Sequence, residues 1–291
     1  MRNVITIVLL FVMGAITGCD SDTQFERSTK EKDDVVLTVG IIPSQGDAAT
    51  RAQYTPMFDY IAAETGFKYE FMIPSSYDEL LEAFINKQVD LALFGGVTYV
   101  KANDLAGAVP LVLRDIDEDF TSVIIVRADH PAKNINDIEG SHFIFGSRLS
   151  TSGHLMPRYF LSENKIVPEK FFKKIDYSGS HDKTVKAVVD GRFDAGVANS
   201  LVVERMFRAG EINSDIVRII WESPKYTDYI WAVQPDLDKN IVNKLVNSFL
   251  LLSTEDKETS AILDQVGAKY YLQARDNGFD RLRAIMSKAN I

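Results

Sequence analysis

The sequence is short of cysteine and histidine and has no surplus of positive charge. Its single cysteine, Cys19, excludes an internal disulfide and any metal site built from several cysteines. The 32 lysines and arginines are outnumbered by 41 aspartates and glutamates, and the net charge of −9 argues against nucleic acid as a partner. A protein of this charge can bind an anion only through donors that are concentrated locally.

Common catalytic motifs are missing as well. The chain contains no HExxH motif, no GxSxG motif and no paired metal-ligand spacing. Of its four histidines, His154 lies four residues after Ser150, a spacing more typical of a helix cap beside a surface group than of a catalytic pair. The sequence therefore predicts a binding protein without a metal or another cofactor, and an enzyme on the same fold is the less favoured alternative.

A long apolar run occurs only at the start of the chain. Arg2 precedes apolar residues 4–16, which fall short of the about 20 residues that a comfortable membrane span needs. The run ends in Ile16-Thr17-Gly18-Cys19, which resembles a bacterial lipobox. We interpret residues 1–18 as a lipoprotein signal peptide and Cys19 as the site of lipid attachment. An ordinary signal peptide with a chance cysteine is the alternative.

The residues after Cys19 predict how the protein is held. Residues 19–34 are polar and charged after the cysteine, which is typical of a flexible tether. In enterobacterial lipoproteins an aspartate after the lipidated cysteine retains the protein at the inner membrane, so Asp20 points there by resemblance. We therefore expect a lipid-anchored monomer on the periplasmic face of the bacterial inner membrane.

Beyond the tether, strand and helix patterns alternate. Residues 35–42 are rich in β-branched side chains, as in a buried strand, and residues 50–65 have a helical pattern that ends at Gly66. This alternation predicts an α/β fold with largely parallel sheets covered on both faces. The further predicted strands are 68–73, 89–94, 122–127, 142–145 and 193–198, and the further predicted helices are 77–86, 97–105 and 153–164.

An internal repeat indicates two similar halves. Residues 77–92 align without a gap on residues 181–196, at an offset of 104 residues. Each copy contains a helix, a tight turn and a strand that is entered through an aspartate, Asp90 or Asp194. Aspartate at such a place more often serves a turn or a cap than a ligand. The offset is about one lobe long, so the repeat predicts two α/β lobes.

Two mixed segments between apolar runs predict the connections between these lobes. Residues 111–121 are rich in acidic side chains, and residues 219–233 contain Pro224. With these segments as the two crossings of a hinge, lobe one comprises residues 35–117 plus 230–291, and lobe two comprises residues 118–229. A double crossing allows the lobes to close over a ligand in the cleft between them.

Three consecutive hydroxyl residues, Ser150, Thr151 and Ser152, precede a predicted helix. Ligands of open α/β sheets bind near helix N-termini, whose free N–H groups favour anions. Because one hydroxyl suffices for a cap, we interpret the cluster as a cradle for a tetrahedral oxyanion. Gly95 is a weaker candidate, where the backbone can approach a ligand closely. His181 is either a donor or a surface residue.

Short motifs along most of the chain form a wider pattern. They are Gln53-Tyr54-Thr55-Pro56, Tyr77, Val89-Asp90-Leu91-Ala92, Phe94-Gly95, Ser150-Thr151-Ser152-Gly153, Gly179-Ser180-His181-Asp182 and Phe193-Asp194-Ala195. This pattern resembles the PhnD-type substrate-binding proteins of ABC transporters, which bind phosphonates and phosphite. The resemblance implies a bilobal type II periplasmic-binding-protein fold with a two-crossing hinge.

The resemblance also implies roles for individual residues. The three residues 150–152 would bind the phosphorus oxyanion, His181 would add a donor from lobe two, and Tyr54 would close from lobe one. Phe94 stands where members of the family often have tyrosine, so one hydroxyl donor is missing.

A second departure bears on the ligand. Members that bind an aminoalkyl phosphonate place a carboxylate shortly after the strand of Asp194, where this chain has Leu201. Asp228 is the nearby candidate acid, and Glu204 replaces it if the register slips. Because a buried ammonium without a partner is costly, we expect phosphite, phosphate or a short phosphonate. The expected partner is an ABC permease in the inner membrane, and presentation of the ligand to a sensor kinase is the alternative.

Overall fold

The computed structural model describes residues 35–289. The predictions of a signal peptide, of lipid attachment at Cys19 and of a tether lie outside these residues. The strands in the described part of the chain are β1 (Val36–Ile41), β2 (Lys68–Met72), β3 (Leu91–Phe94), β4 (Val109–Arg114), β5 (Ser122–Arg127), β6 (His142–Phe145), β7 (Lys174–Tyr177), β8 (Ala195–Asn199), β9 (Val217–Glu222), β10 (Ile230–Val233) and β11 (Tyr271–Gln273).

Helices cover both sheets, as the alternating pattern predicts. Among residues 35–289, no helix is both long enough and apolar enough to cross a membrane. Short 3₁₀ helices lie at Asp115–Asp119, Ile135–Ile138 and Asp276–Phe279, and a π-helical turn lies at Thr151–Leu155. The α-helices are α1 (Asp47–Thr65), α2 (Tyr77–Ile85), α3 (Gly96–Ala106), α4 (Met156–Glu163), α5 (Pro168–Phe171), α6 (His181–Val189), α7 (Ser200–Arg208), α8 (Lys239–Leu251), α9 (Lys257–Val266) and α10 (Asp280–Ala289).

The strands form two sheets, each at the centre of one lobe. The first lobe has the strand order β11-β4-β10-β3-β1-β2, and the second lobe has the order β7-β6-β8-β5-β9. The chain passes between the sheets twice, after β4 and after β9. The two crossings bond to each other, because Phe120 and Tyr226 exchange backbone hydrogen bonds of 2.9 and 3.0 Å. This is a bilobal α/β fold with a two-crossing hinge.

The expectation of largely parallel sheets is wrong. β1 runs parallel to β2 and β3, and β6 runs parallel to β7 and β8. The other five pairings between the described strands are antiparallel. Strands β5 and β10 each follow a hinge crossing and enter their sheet without the helical crossover that makes neighbouring strands parallel.

Helix starts also differ from the predicted ones. α1 begins at Asp47, one turn before the predicted start, because Gly46 already has the extended backbone of an N-cap. The predicted helix at 153–164 is instead a π-helical turn followed by α4. Pro157 lacks an N–H group, so it cannot bond to the Gly153 carbonyl, which accepts from the Gly146 N–H group at 2.8 Å instead.

The internal repeat is confirmed in detail by the structure. Asp90 Oδ2 accepts from the N–H group of Thr38 at 2.8 Å, and Asp194 Oδ2 accepts from the N–H group of His142 at 2.7 Å. These two pairs are related by the same offset of 104 residues as the aligned segments. Both aspartates therefore tie a turn to the neighbouring strand, as expected for a structural role. The repeat also makes Tyr77 and His181 equivalent, as the first residues of α2 and α6.

The apolar core extends across the lobes. Trp231 in the first lobe is fully buried, with ring centroids 5.3 Å from Phe58 and 5.7 Å from Phe249. Leu155 and Met156, although they belong to the second lobe, join this same apolar cluster. The segment that carries the three hydroxyl residues is thus held against the first lobe by buried side chains.

Candidate functional site

The predicted oxyanion residues lie where helix N-termini from both lobes meet. We call residues Ser150–Gly153 the hydroxyl loop. Ser150 caps the π-helical turn, since its Oγ accepts from the Gly153 N–H group at 2.9 Å. Thr151 Oγ1 accepts from the N–H group of Val97, in the first turn of α3, at 3.0 Å. The hydroxyl loop of the second lobe is thereby bonded to a helix N-terminus of the first.

The hydroxyl loop leaves donors available. As an acceptor from Val97, the Thr151 hydroxyl can still donate its own hydrogen, and in the ligand-free site the carboxyl of Asp228 is a nearby acceptor. The Ser152 carbonyl accepts from the hydroxyl of Ser122, the first residue of β5, at 2.7 Å. This bond ties the hydroxyl loop to the sheet of the second lobe. All three hydroxyl residues of the loop are at most 2% exposed. The loop can therefore present hydroxyl and backbone donors in a site that excludes water.

His181 contributes a neutral donor. Its Nδ1 accepts from the Asn199 N–H group at 3.2 Å, so the hydrogen of the neutral ring is on Nε2. Nε2 is buried and has no hydrogen-bond partner among residues 35–289. Burial lowers the pKa of the ring to about 4, although the nearby Asp182 opposes that shift. His181 is therefore neutral at physiological pH, with one N–H group unused.

His181 also links the two lobes and borders the hydroxyl loop. Its backbone N–H group donates to the Ser44 carbonyl of the first lobe at 3.0 Å. A Cβ atom at Gly153 would lie 3.0 Å from Cε1 of the ring and 2.9 Å from Ser150 Oγ. Only glycine at position 153 leaves room for the imidazole and the hydroxyl loop to lie side by side.

Asp228, on the second crossing, supplies an acceptor. Its Oδ1 accepts from the N–H group of Gly96, the first residue of α3, at 2.9 Å. Its Oδ2 is buried and unpartnered within the described chain. Burial raises the pKa of this carboxyl to about 6, and hydrogen bonding from the Gly96 N–H group and from the hydroxyls of Thr151 and Ser152 opposes the shift. One oxygen is thus fixed to a helix N-terminus, and the carboxyl borders the hydroxyl loop.

Tyr77 completes the group of buried polar atoms. Among residues 35–289 its hydroxyl has no hydrogen bond of regular geometry, and the side chain is 2% exposed. Burial and the charge of Asp228 both raise the pKa of Tyr77, so the hydroxyl keeps its hydrogen, although the nearby hydroxyls of Ser150 and Tyr229 oppose the shift. We call Tyr77, His181 and Asp228 the polar triad. Unpartnered buried polar atoms are rare in proteins, and three that border one loop indicate a site for a polar ligand.

The other three residues predicted to bind the ligand lie in different surroundings. Tyr54, with a pKa raised to about 12 by burial, lines a cavity of about 40 Å³ between the lobes together with Asn199. The ring of Phe94 lies 5.2 Å from that of Phe84, in the core of the first lobe. A Cβ atom at Gly95 would lie 3.3 Å from Asp228 Oδ1, so this glycine borders the triad.

The positions after β8 where an acid was considered do not lie in the triad. Leu201, which stands where some members of the family have a carboxylate, lines the same cavity as Tyr54. Glu204, the alternative acid, is exposed in a separate groove beside the hinge. Within the described residues, no three histidine, cysteine, aspartate or glutamate side chains are grouped so that they could hold a metal ion.

Sequence reasoning singled out Tyr77 only as part of a motif. The signal that could have placed it in the site was the repeat, because Tyr77 aligns on His181. The N–H groups of Gly96 and Val97 were also missed. No sequence pattern marks them, since their partners are 132 and 54 residues away.

Comparisons with known proteins agree with this geometry. A family model described as "ABC transporter, phosphonate, periplasmic substrate-binding protein" matches residues 39–279. The probable ABC transporter phosphite binding protein PhnD1 of Prochlorococcus marinus is 31% identical over 267 residues, which cover 88% of this chain and 90% of that protein. The phosphate-import protein PhnD of Mycolicibacterium smegmatis is 28% identical over 247 residues, or 80% of this chain and 77% of that protein.

A solved structure shares the fold closely. The structure of Prochlorococcus marinus PhnD1 in complex with methylphosphonate superposes with a TM-score of 0.83 and 30% identity. The match covers 88% of this chain and 98% of that one.

Proposed function

Since this chain belongs to the family of periplasmic substrate-binding proteins of phosphonate ABC transporters, we propose that it captures a small phosphorus oxyanion between its lobes. The proposed ligands are phosphite, phosphate and short phosphonates, held without chemical conversion. The observation that carries the proposal is the polar triad, in which each residue has a buried polar atom without a regular hydrogen bond and borders the hydroxyl loop. The relatives named for phosphite and phosphate, and the relative solved with methylphosphonate, fall within this ligand class.

The available donors suit a tetrahedral anion. Ser150, Thr151 and Ser152 would donate hydroxyl hydrogens from the second lobe, and His181 would donate from Nε2. Tyr77 would donate its hydroxyl hydrogen from the first lobe. Hydrogen bonds to an ionised acceptor are shorter and about twice as strong as neutral ones. An acidic protein can therefore hold an anion without a lysine or arginine in direct contact.

Asp228 would set the protonation state of the ligand. An ionised carboxylate repels a bare oxyanion oxygen but accepts a hydrogen bond from a protonated one. The Oδ2 atom therefore favours an anion that carries one proton, which phosphite, phosphate and alkyl phosphonates can keep or take up on binding near neutral pH. Sulfate carries no proton at that pH, so one of its oxygens would face the Asp228 carboxylate oxygen with no hydrogen between them, and the two would repel each other.

The same carboxylate argues against an aminoalkyl ligand. Asp228 Oδ1 is already occupied by Gly96, and Oδ2 would meet the protonated oxygen. The alternative acid, Glu204, is exposed in the hinge groove and would not reach the ligand ammonium. An ammonium group beside the triad would thus compete with the protonated oxygen of the ligand for the one available carboxylate oxygen.

Thermal unfolding with a panel of anions tests this proposal. A ligand at about 100 times its Kd adds about 2.7 kcal/mol of stability, which corresponds to roughly 5–10 °C in a unit of about 150–250 residues. We expect that shift with phosphite, phosphate or methylphosphonate, and no shift with sulfate or aminoethylphosphonate. The Glu204→Gln variant should behave as the wild type. A shift with sulfate equal to that with phosphite would contradict the proposal.

We also propose that Cys19 carries lipid and that an inner-membrane permease receives the ligand. Support comes from the lipobox-like sequence and from the transporter family. We expect Cys19→Ser to release the protein from the membrane fraction or to leave an unprocessed precursor. Fractionation followed by mass analysis of the N-terminus measures both. A Cys19→Ser protein that is still processed and membrane-bound would contradict lipid anchoring.

A further inference from the structure

His154 lies directly behind the hydroxyl loop, and both of its ring nitrogens have partners. Nδ1 lies 2.8 Å from the carbonyl oxygen of Arg148, and Nε2 lies 2.8 Å from Nε of Arg158. Because a guanidinium only donates, Nε2 is the acceptor and the ring hydrogen is on Nδ1. The Nδ1–H group therefore donates to Arg148. This bond joins the two ends of residues 148–154, the segment that contains the hydroxyl loop.

Neighbouring groups fix the orientation of the ring. It makes edge contacts with Phe145 and Tyr177, at centroid distances of 5.5 and 5.1 Å. Arg158 is fixed in turn, since it donates to the Tyr177 hydroxyl at 3.0 Å and forms an ion pair of 2.6 Å with Glu169. Burial lowers the pKa of His154 to about 4, although the bond to the Arg148 carbonyl opposes that shift. The contact with Arg158 needs the neutral ring, because only an unprotonated Nε2 can accept.

The ring is not placed to touch the ligand. It lines a groove between the second lobe and α10 of the first lobe, together with Arg158 and Ile285. Both of its ring nitrogens are already engaged, by Arg148 and Arg158. Any effect of His154 on the anion must therefore pass through the backbone of residues 148–154. That backbone includes a π-helical turn, which is an irregular form that needs support from its surroundings.

We propose that His154 is a positioning residue for the oxyanion, because its ring holds residues 148–154 in the curvature that aims the donors of Ser150, Thr151 and Ser152 at one point. The inference rests on the proposed function, since it needs the hydroxyl loop to hold the anion. A loop that is ordered before binding costs less to order on binding, and this raises affinity. His154 thus supports the residues that bind the ligand and does not contact the ligand itself.

Two amide substitutions separate the positions of the ring nitrogens. In His154→Asn the amide nitrogen takes the place of Nδ1 and can still donate to the Arg148 carbonyl. In His154→Gln it takes the place of Nε2, and the bond to Arg148 is lost. We expect calorimetric titration with phosphite and methylphosphonate to give a Kd about tenfold higher for His154→Gln and within about threefold of wild type for His154→Asn.

A destabilised control shows whether affinity follows stability alone. Ile138 is 1% exposed in the core of the second lobe, within the 3₁₀ helix at Ile135–Ile138 and away from the triad. We expect Ile138→Ala to lower the unfolding temperature at least as much as His154→Gln and to leave the Kd unchanged. Equal losses of affinity in Ile138→Ala and His154→Gln would overturn the positioning role, as would equal affinity in the two His154 variants.

The same titrations distinguish failure of this inference from failure of the proposed function. If Thr151→Ala and His181→Ala lose affinity while His154→Gln binds as wild type, the site stands and the positioning role is wrong. If Thr151→Ala and His181→Ala also bind as wild type, the hydroxyl loop does not hold the anion, and both are wrong.

Discussion

The affinity for phosphite is expected to fall about tenfold for each pH unit above about pH 7, and Asp228→Asn is expected to remove this dependence. Burial raises the pKa of the ligand-free Asp228 carboxyl to about 6, and the second pKa of a phosphate group is also near 6. Well above both values, neither partner holds the proton that their contact needs. Binding then takes up one proton, and linkage makes the Kd rise by a factor of ten per pH unit.

The sign of the effect follows from which partner is protonated. Below about pH 6 the proton is already on the anion or on Asp228, so affinity changes little with pH. In Asp228→Asn the side-chain amide can donate to a bare oxygen, and no proton is needed. We expect the Kd of wild type to rise about 100-fold between pH 7 and 9, and that of Asp228→Asn to change less than about threefold. The variant should also bind sulfate.

Calorimetry in two buffers with different heats of ionisation measures the proton directly. Wild type should take up close to one proton per bound phosphite at pH 8, and Asp228→Asn should take up none. Glu204→Gln is the matched control, because Glu204 is an exposed carboxylate in the hinge groove. A flat profile in Glu204→Gln with an unchanged slope in Asp228→Asn would show that the wrong acid has been assigned.

Much of the fold followed from patterns that are local in sequence. Buried-strand runs and helical periodicity located most elements, because they depend on residues a few positions apart. The repeat reached further, since one offset of 104 residues relates the Asp90 and Asp194 bonds and pairs Tyr77 with His181. The predicted parallel direction was wrong for the strands that follow the hinge crossings, because β5 and β10 enter their sheets directly from those crossings.

The site was less accessible to sequence reasoning than the fold. Three adjacent hydroxyl residues are visible in the sequence at Ser150, Thr151 and Ser152. The hydrogen bond from the Val97 N–H group to Thr151, however, depends on how the lobes meet. The same holds for Asp228, whose Oδ1 reaches Gly96 only because the second crossing lies beside α3. Local sequence contains no information on these contacts. Resemblance to a family supplied candidates here, and the geometry supplied their partners.

Removal of the His181 imidazole is expected to weaken phosphite binding by one to two powers of ten. The Nε2–H group is buried and unused in the ligand-free site, and a hydrogen bond from it to an anion is worth about 1.5–3 kcal/mol. At 1.4 kcal/mol per factor of ten, this gives about 10- to 100-fold for His181→Ala. His181→Gln places an amide donor near Nε2 and should restore part of the loss. Calorimetric titration of both variants measures the difference.

The charge of His181 in the complex decides how affinity depends on pH once Asp228 is removed. Burial lowers the pKa of the ring to about 4, so it donates as a neutral group between pH 5.5 and 7.5. In the Asp228→Asn background, the affinity for phosphite should therefore not fall as pH rises through 6.5, the ordinary histidine value. A bound imidazolium would instead lose its proton over this range, and affinity would drop about tenfold between pH 6.5 and 7.5. A drop in affinity in the single variant Asp228→Asn that is absent from the double variant Asp228→Asn, His181→Gln would show that His181 binds the anion as a cation.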